Sequence, residues 1–190
     1  MGGLLPLAAN PFPRFVFVDC EATGLDRPSH PVEVGLAWCD GSSAAHLVRP
    51  APEWEAWTWS PAASRIHGIS RDDAAASGKP AVWVADWLNS ECSGRIVCSD
   101  NPPAEAYWLG ELFRAAGRIP AFAIDDSYML IQAALAGTPG GMGGFDGLRR
   151  RVQETHPITH RAADDALFWA AAFREAALMA GLTARSSTPA

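Results

Sequence analysis

The pattern of apolar and polar positions changes period part-way along the chain. Phe15–Asp19 (FVFVD) is a continuous apolar run ending in an acid, which predicts a central strand buried on both faces. A turn signal, Thr23-Gly24, follows it. Val32–Cys39 predicts a second strand, Asp40-Gly41 a hairpin turn, and 44–50 (AAHLVRP) a third strand, so the first three strands form an antiparallel meander. Beyond them the spacing becomes helical. Ala81–Leu88 predicts a helix with Trp83, Val84 and Trp87 on one side. Arg95–Ser99 predicts a strand. Glu105–Ala116 predicts a helix that turns Trp108, Leu109, Leu112 and Phe113 inward and stops at Gly117. Pro120–Ile124 predicts the last strand. Asp125, Asp126 and Ser127 offer N-caps for a helix to Ala136. A Gly-rich loop (TPGGMGG) leads to a short helix carrying Phe145, Leu148 and Val152, and a final helix begins near Thr159 and runs to about Ala180.

This order predicts an α/β fold with a mixed five-stranded sheet, three antiparallel strands then two parallel, and helices on both faces. Ligands in such sheets gather at the carboxyl ends of the parallel strands. A chain of 190 residues, 48% hydrophobic and 19% charged, fits one domain, expected over 14–183 between tails at 1–13 and 184–190. Fifteen Lys and Arg against twenty-one Asp and Glu leave a net charge of -6, which speaks against a broad basic nucleic-acid surface. It leaves room for a small nucleic-acid site whose positive charge comes from metal ions. Four scattered cysteines, no basic segment ahead of the apolar start and no apolar run near the ~20 residues of a membrane span predict a soluble, cytoplasmic protein.

Asp19 and Glu21 close the first strand. Strand periodicity sends both carboxylates to one face and Cys20 to the other. Two acids so close repel each other, which raises one pKa or demands a cation, unless both are simply solvated at the strand end; Mg²⁺ and Mn²⁺ favour oxygen ligands of this kind. At the other end of the chain, His160 stands before or at the start of the final helix, and Asp165 lies one turn before Trp169 on an apolar face. Five helical residues span about 140°, so His160 reaches the face of Asp165 only from the preceding loop. Asp164 is expected to point elsewhere, into solvent.

D-C-E after a buried strand and H-R-A-A-D-D near the end, in the form H-x-A-x-x-D, resemble the DEDDh 3′–5′ exonucleases of the RNase H-like superfamily. The resemblance runs from about Phe15 to Ala177 and includes VEVGLAW (32–38) and a segment ending RIHGI (65–69). The middle motif departs. Where the family has H-N-x-x-F-D, this chain has D-N-P-P-A-E, so Glu105 takes the place of the third acid and Asp100 that of the histidine. The resemblance implies an RNase H-like sheet and two-metal phosphodiester hydrolysis with Mg²⁺ or Mn²⁺. Asp19, Glu21, Glu105 (or Asp100) and Asp165 would be the metal ligands. His160 would be the general base, since imidazole is the side chain that ordinarily titrates nearest neutral pH. It also implies single-stranded or short DNA or RNA as substrate and 5′-mononucleotides as products. Ala22, Thr23 and Leu25 would lie at the terminal nucleotide. The alternative is a degenerate domain that binds nucleic acid or protein without cutting.

Leu25 reads equally as a core residue. Glu33 reads as a partner of the site or a buried acid satisfied locally, and His67 as structural, beside a turn at Gly68. Arg149, Arg150 and Arg151 could steer phosphates, although consecutive helical residues cannot share a face. The chain has eight tryptophans. Trp54, Trp57 and Trp59 read as core or as the contact of a homodimer, ahead of a base-stacking platform, because Glu53 and Glu55 flank them. His30, His46 and His156 have no evident partners.

Overall fold

A computed structural model of the chain describes residues 12–138 and 140–182. Apart from Phe12 and Pro13, the expected tails lie outside the described residues. Phe12 is buried, its ring 5.5 Å from that of Phe173.

The sheet has the expected composition. β1 (Phe15–Ala22) is central, antiparallel to β2 (Pro31–Trp38), which pairs in turn with β3 (Ser43–Leu47). On the other side of β1, β4 (Ile96–Ser99) and β5 (Ile124–Asp126) add in parallel, giving the order β3-β2-β1-β4-β5. Seven α-helices are described: α1 (Pro61–His67), α2 (Arg71–Ser77), α3 (Ala81–Cys92), α4 (Pro102–Ala116), α5 (Ser127–Leu135), α6 (Phe145–Thr155) and α7 (Ala162–Met179). No described helix is long and apolar enough to cross a membrane.

The alternation along β1 divides the core in two. Val16, Val18 and Cys20 join Val84, Leu88, Trp108, Leu112 and Phe113 beneath α3 and α4. Phe17 joins Ile131, Leu135, Leu148, Phe168 and Phe173 beneath α5, α6 and α7. Asp19 and Glu21, in phase with Phe17, therefore end on the α7 side, as the period of two requires.

Three local expectations change. The last strand lies at Ile124–Asp126 and not at Pro120–Ile124, because the preceding backbone is held by α3. Asn89 donates to the Ile119 carbonyl at 3.0 Å and accepts from the Ala121 N–H at 2.8 Å. α1 and α2 were not foreseen as helices. They are too short to show an amphipathic period, but their ends are well marked: Ser60 accepts from the Ala63 N–H with Pro61 in the first turn, Gly68 ends α1 at φ 72°, and Ser70 and Asp73 form a reciprocal capping box. On α3, Trp83 turns partly outward, while Ala81, Val84, Ala85, Leu88 and Cys92 are the buried residues.

The seam between α7 and β2 is unusually tight. A Cβ at Gly35 would lie 2.2 Å from the carbonyl carbon of Ala162, in the backbone of α7. Glycine alone permits this approach. Gly35→Ala should therefore destabilise the protein by ~1–3 kcal/mol or more. The check is thermal unfolding, where each kcal/mol is worth about 2–4 °C of Tm in a chain of this size. An unchanged Tm would show that α7 can slide off the strand without cost.

Candidate active site

The parallel strands open onto a cleft of about 620 Å³. Asp19 and Glu21 enter it from the end of β1, Asp100 from the end of β4, Glu105 from the first turn of α4, and Asp165 from the first turn of α7. His160 stands over it from the loop before α7. Side chains separated by up to 146 positions thus meet in one place.

Glu105 is buried against Cys20, its carboxylate facing the thiol and backbone N–H of that residue. Its Oε2 is buried without a hydrogen-bond partner. Asp100 is exposed. Asp165 is buried and accepts the Thr159 N–H at 2.8 Å. Asp164 is the exposed neighbour, accepting the Thr159 hydroxyl at 2.7 Å. The final helix starts at Ala162, so His160 belongs to the loop, with its Nδ1 4.0 Å from Asp165 Oδ2. Glu21, His160 and Asp165 bring potential ligand atoms together, all within 4.8 Å of one another.

Burial, and then crowding, shifts these acids toward their protonated forms. Burial pushes Asp19 well above the usual carboxylate range, and the charges of Glu105, Glu21, Asp100 and Asp165 push it further. Burial also raises Glu105. Glu21 rises to about 7, first through burial and then through Asp165 and Glu33, against a smaller lowering by Arg161. Asp100 and Asp165 are raised chiefly by burial. An all-oxygen donor set, mutually repelling and including an unpartnered buried oxygen, fits a hard divalent cation such as Mg²⁺ or Mn²⁺. Asp19, Glu21, Asp165 and Glu105, with Asp100 beside it, are the residues that could hold such ions.

The remaining candidates divide. Ala22 and Leu25 line the cleft. Leu25 is 88% exposed, which excludes the core reading. Thr23 does not line it: the residue is fully buried, and its hydroxyl accepts the His30 N–H at 3.2 Å. Thr23 therefore braces the loop beneath the cleft. His67 Nδ1 accepts the Ile69 N–H at 3.0 Å, the structural role expected of it, although its ring also forms part of the cleft wall. Arg149, Arg150 and Arg151 are exposed on α6 and do not line the cleft.

Three features escaped the sequence. Glu33 is satisfied across the fold, 128 positions away, by the guanidinium of Arg161. Ile66, exposed on α1, adds an apolar side chain to the cleft lining; its place in the RIHGI segment is the available signal. The third is the centre of the tryptophan cluster. Buried His30 stacks on Trp54 at 4.5 Å, with Trp57 and Trp59 around it. Burial lowers its pKa to about 4. The cluster is core, and nothing in it supports a homodimer.

No known protein family matches the chain, and no curated protein does. Solved structures do. Escherichia coli exonuclease I in complex with a dA16 oligonucleotide superposes with a TM-score of 0.61 at 18% identity, over 83% of this chain and 39% of that one. A product-bound exonuclease I structure gives 0.61 at 18%, over 85% and 42%. The chain shares its RNase H-like fold with exonuclease I. It spans about two fifths of the length of those proteins.

The raised carboxylates make stability depend on pH. Glu21 titrates near 7 in the folded chain and near 4.5 when unfolded. Between those values the folded state binds more protons, so stability falls as pH rises through that window. The metal-free protein should melt higher at pH 5 than at pH 7.5, and Glu21→Gln should flatten the slope and raise Tm at pH 7.5. Mn²⁺ should raise the wild-type Tm at pH 7.5 by binding only the native state. Thermal scans at both pH values check this, and a wild-type Tm that rises with pH over this window would contradict it.

Proposed function

We propose that the chain is a metal-dependent 3′–5′ exonuclease that hydrolyses single-stranded or short nucleic acid to 5′-mononucleotides. The observation that carries this reading is the convergence of carboxylates from β1, the β4–α4 corner and α7, together with His160, in one cleft. The fold shared with exonuclease I, a protein seen bound to an oligonucleotide, supports it.

Asp19, Glu21, Asp165 and Glu105 would hold two Mg²⁺ or Mn²⁺ ions, with Asp100 as the substitute for Glu105. When bound, such ions polarise the scissile phosphate, stabilise the leaving oxygen and supply positive charge that the acidic chain lacks. His160 takes the proton of the attacking water as general base, and the imidazolium that results faces Asp165. The loop position gives the ring its reach over the cleft. Leu25 presents an exposed apolar side chain at the mouth, against which the terminal base packs. Ala22 lines the wall close by. A cleft lined by Leu25, Ile66 and His160 accepts a free strand end.

The test is digestion of end-labelled single-stranded DNA and RNA with Mn²⁺, with an EDTA control and a circular single strand. The expected products are 5′-mononucleotides from the 3′ end, with no cleavage in EDTA and an intact circle. Full hydrolysis in EDTA defeats the metal assignment, cutting of the circle defeats the exonuclease assignment, and binding without any cleavage would favour the degenerate domain.

Replacing His160 separates the proton-transfer role from the metal site. His160→Ala should lower turnover ~10²–10⁴-fold. The rise in Tm caused by Mn²⁺ should persist, because the carboxylates are untouched. Wild-type turnover in this variant, under conditions where chemistry limits the rate, would remove His160 from the mechanism.

A further inference from the structure

We propose that Glu33 and Arg161 are positioning residues that fix the His160 imidazole against the sheet; the proposal rests on the exonuclease reading above. Among the described residues, His160 is the non-glycine with a positive φ, 58°. A side chain in that left-handed region persists only where its flanks hold it. Both flanks are held here. On one side, Thr159 donates its N–H to Asp165 and its hydroxyl to Asp164. On the other, the Arg161 guanidinium grips both oxygens of Glu33, with Nε at 3.0 Å from Oε2. The Ala162 N–H donates to the same Oε2 at 3.0 Å. His160 is thus a one-residue arch between two clamps.

The clamps differ in what they are tied to. The Thr159 clamp belongs to α7 itself, so it moves with the helix. The Arg161 clamp ends on Glu33, buried in β2, whose partner across the ladder is Glu21. It therefore refers the imidazole to the strands that carry the acids. A two-oxygen grip suits guanidinium, whose planar fork fixes direction as well as distance. Holding α7 in place does not require the guanidinium. Ala162 already donates to Glu33, and the helix buries Phe168, Phe173 and Ala176 on the sheet. Arg161 itself is half exposed, a setting in which an ion pair adds little to stability.

The test uses the full chain with Arg161→Met, Arg161→Lys and the double variant Glu33→Gln/Arg161→Met. Single-turnover hydrolysis, KM for a single-stranded oligonucleotide, Tm and the Mn²⁺-induced rise in Tm are read for each. Arg161→Met should lower kcat by about 10- to 100-fold, with KM and the Mn²⁺ effect nearly unchanged. Arg161→Lys should recover part of kcat. The double variant removes the uncompensated carboxylate charge, so its Tm should recover while kcat stays low. A kcat within twofold of wild type in Arg161→Met, or kcat recovering with Tm in the double variant, overturns the positioning role. Arg161→Lys supplies the test if the methionine variant does not fold, and wild-type kcat in it then overturns the role. If the wild type shows neither Mn²⁺ stabilisation nor hydrolysis, the exonuclease reading falls and this proposal with it.

Discussion

Gly35 has no side chain, and the backbone of Ala162 lies where one would be. That contact organises the site. Gly35 is the cross-strand partner of Asp19, and directly opposed residues of an antiparallel pair share a face. The start of α7 therefore comes down beside Asp19, and Asp165 follows one turn later. His160 precedes the same point in the chain and hangs over the same acids. Without the close approach, the first and last motifs would sit on the same sheet without sharing a cleft.

The arrangement works against stability. Asp19, Glu21, Asp100, Glu105 and Asp165 face one cleft, and burial raises each of them before they repel each other. Desolvated like charges are among the costlier features a fold can hold. Two cores offset this, one on each face of β1, and both are rich in large aliphatic and aromatic side chains. The acids also lie where the strands end, so the core packing does not depend on them. A cation would convert the repulsion into attraction, which is why a cluster unfavourable to the empty fold is a sensible arrangement for a metal site.

What the sequence could show follows from the range of the interactions involved. Phe15–Asp19, the apolar face of α4 and the alternation of Asp19, Cys20 and Glu21 depend on local period, and all three were legible. The H-x-A-x-x-D spacing sets Asp165 one turn before Trp169, whereas a helix expected from near Thr159 leaves His160 before or at its start; the helix begins at Ala162, which places His160 in the loop. Glu33 was legible as an unusual buried acid but not as the partner of Arg161, because nothing local records a pairing across 128 positions. His30 reads as an isolated histidine until Trp54 folds over it. The last strand was misplaced because Asn89, on a distant helix, holds the segment before it. α1 and α2 show no readable period because seven residues give too few turns, although their caps stand in the sequence.

Glu105 shows how a departure from a motif can be accommodated by its surroundings. The resemblance sets a shorter acid at this position, and one more methylene adds a rotatable bond whose freedom must be lost for the carboxylate to sit still. Burial removes that freedom, and Cys20 supplies the contact that selects one orientation. Cys20 can do so because the period of β1 turns it away from Asp19 and Glu21, toward α4. The longer arm thus has a fixed point behind it, and its second oxygen stays unpartnered among the other acids. Asp100, just beyond the strand end, is held differently: its carboxylate meets the Trp169 side chain rather than a buried thiol. Where the Glu105 carboxylate sits is accordingly a property of two residues, a glutamate with a long arm and a small buried thiol that decides where it stops.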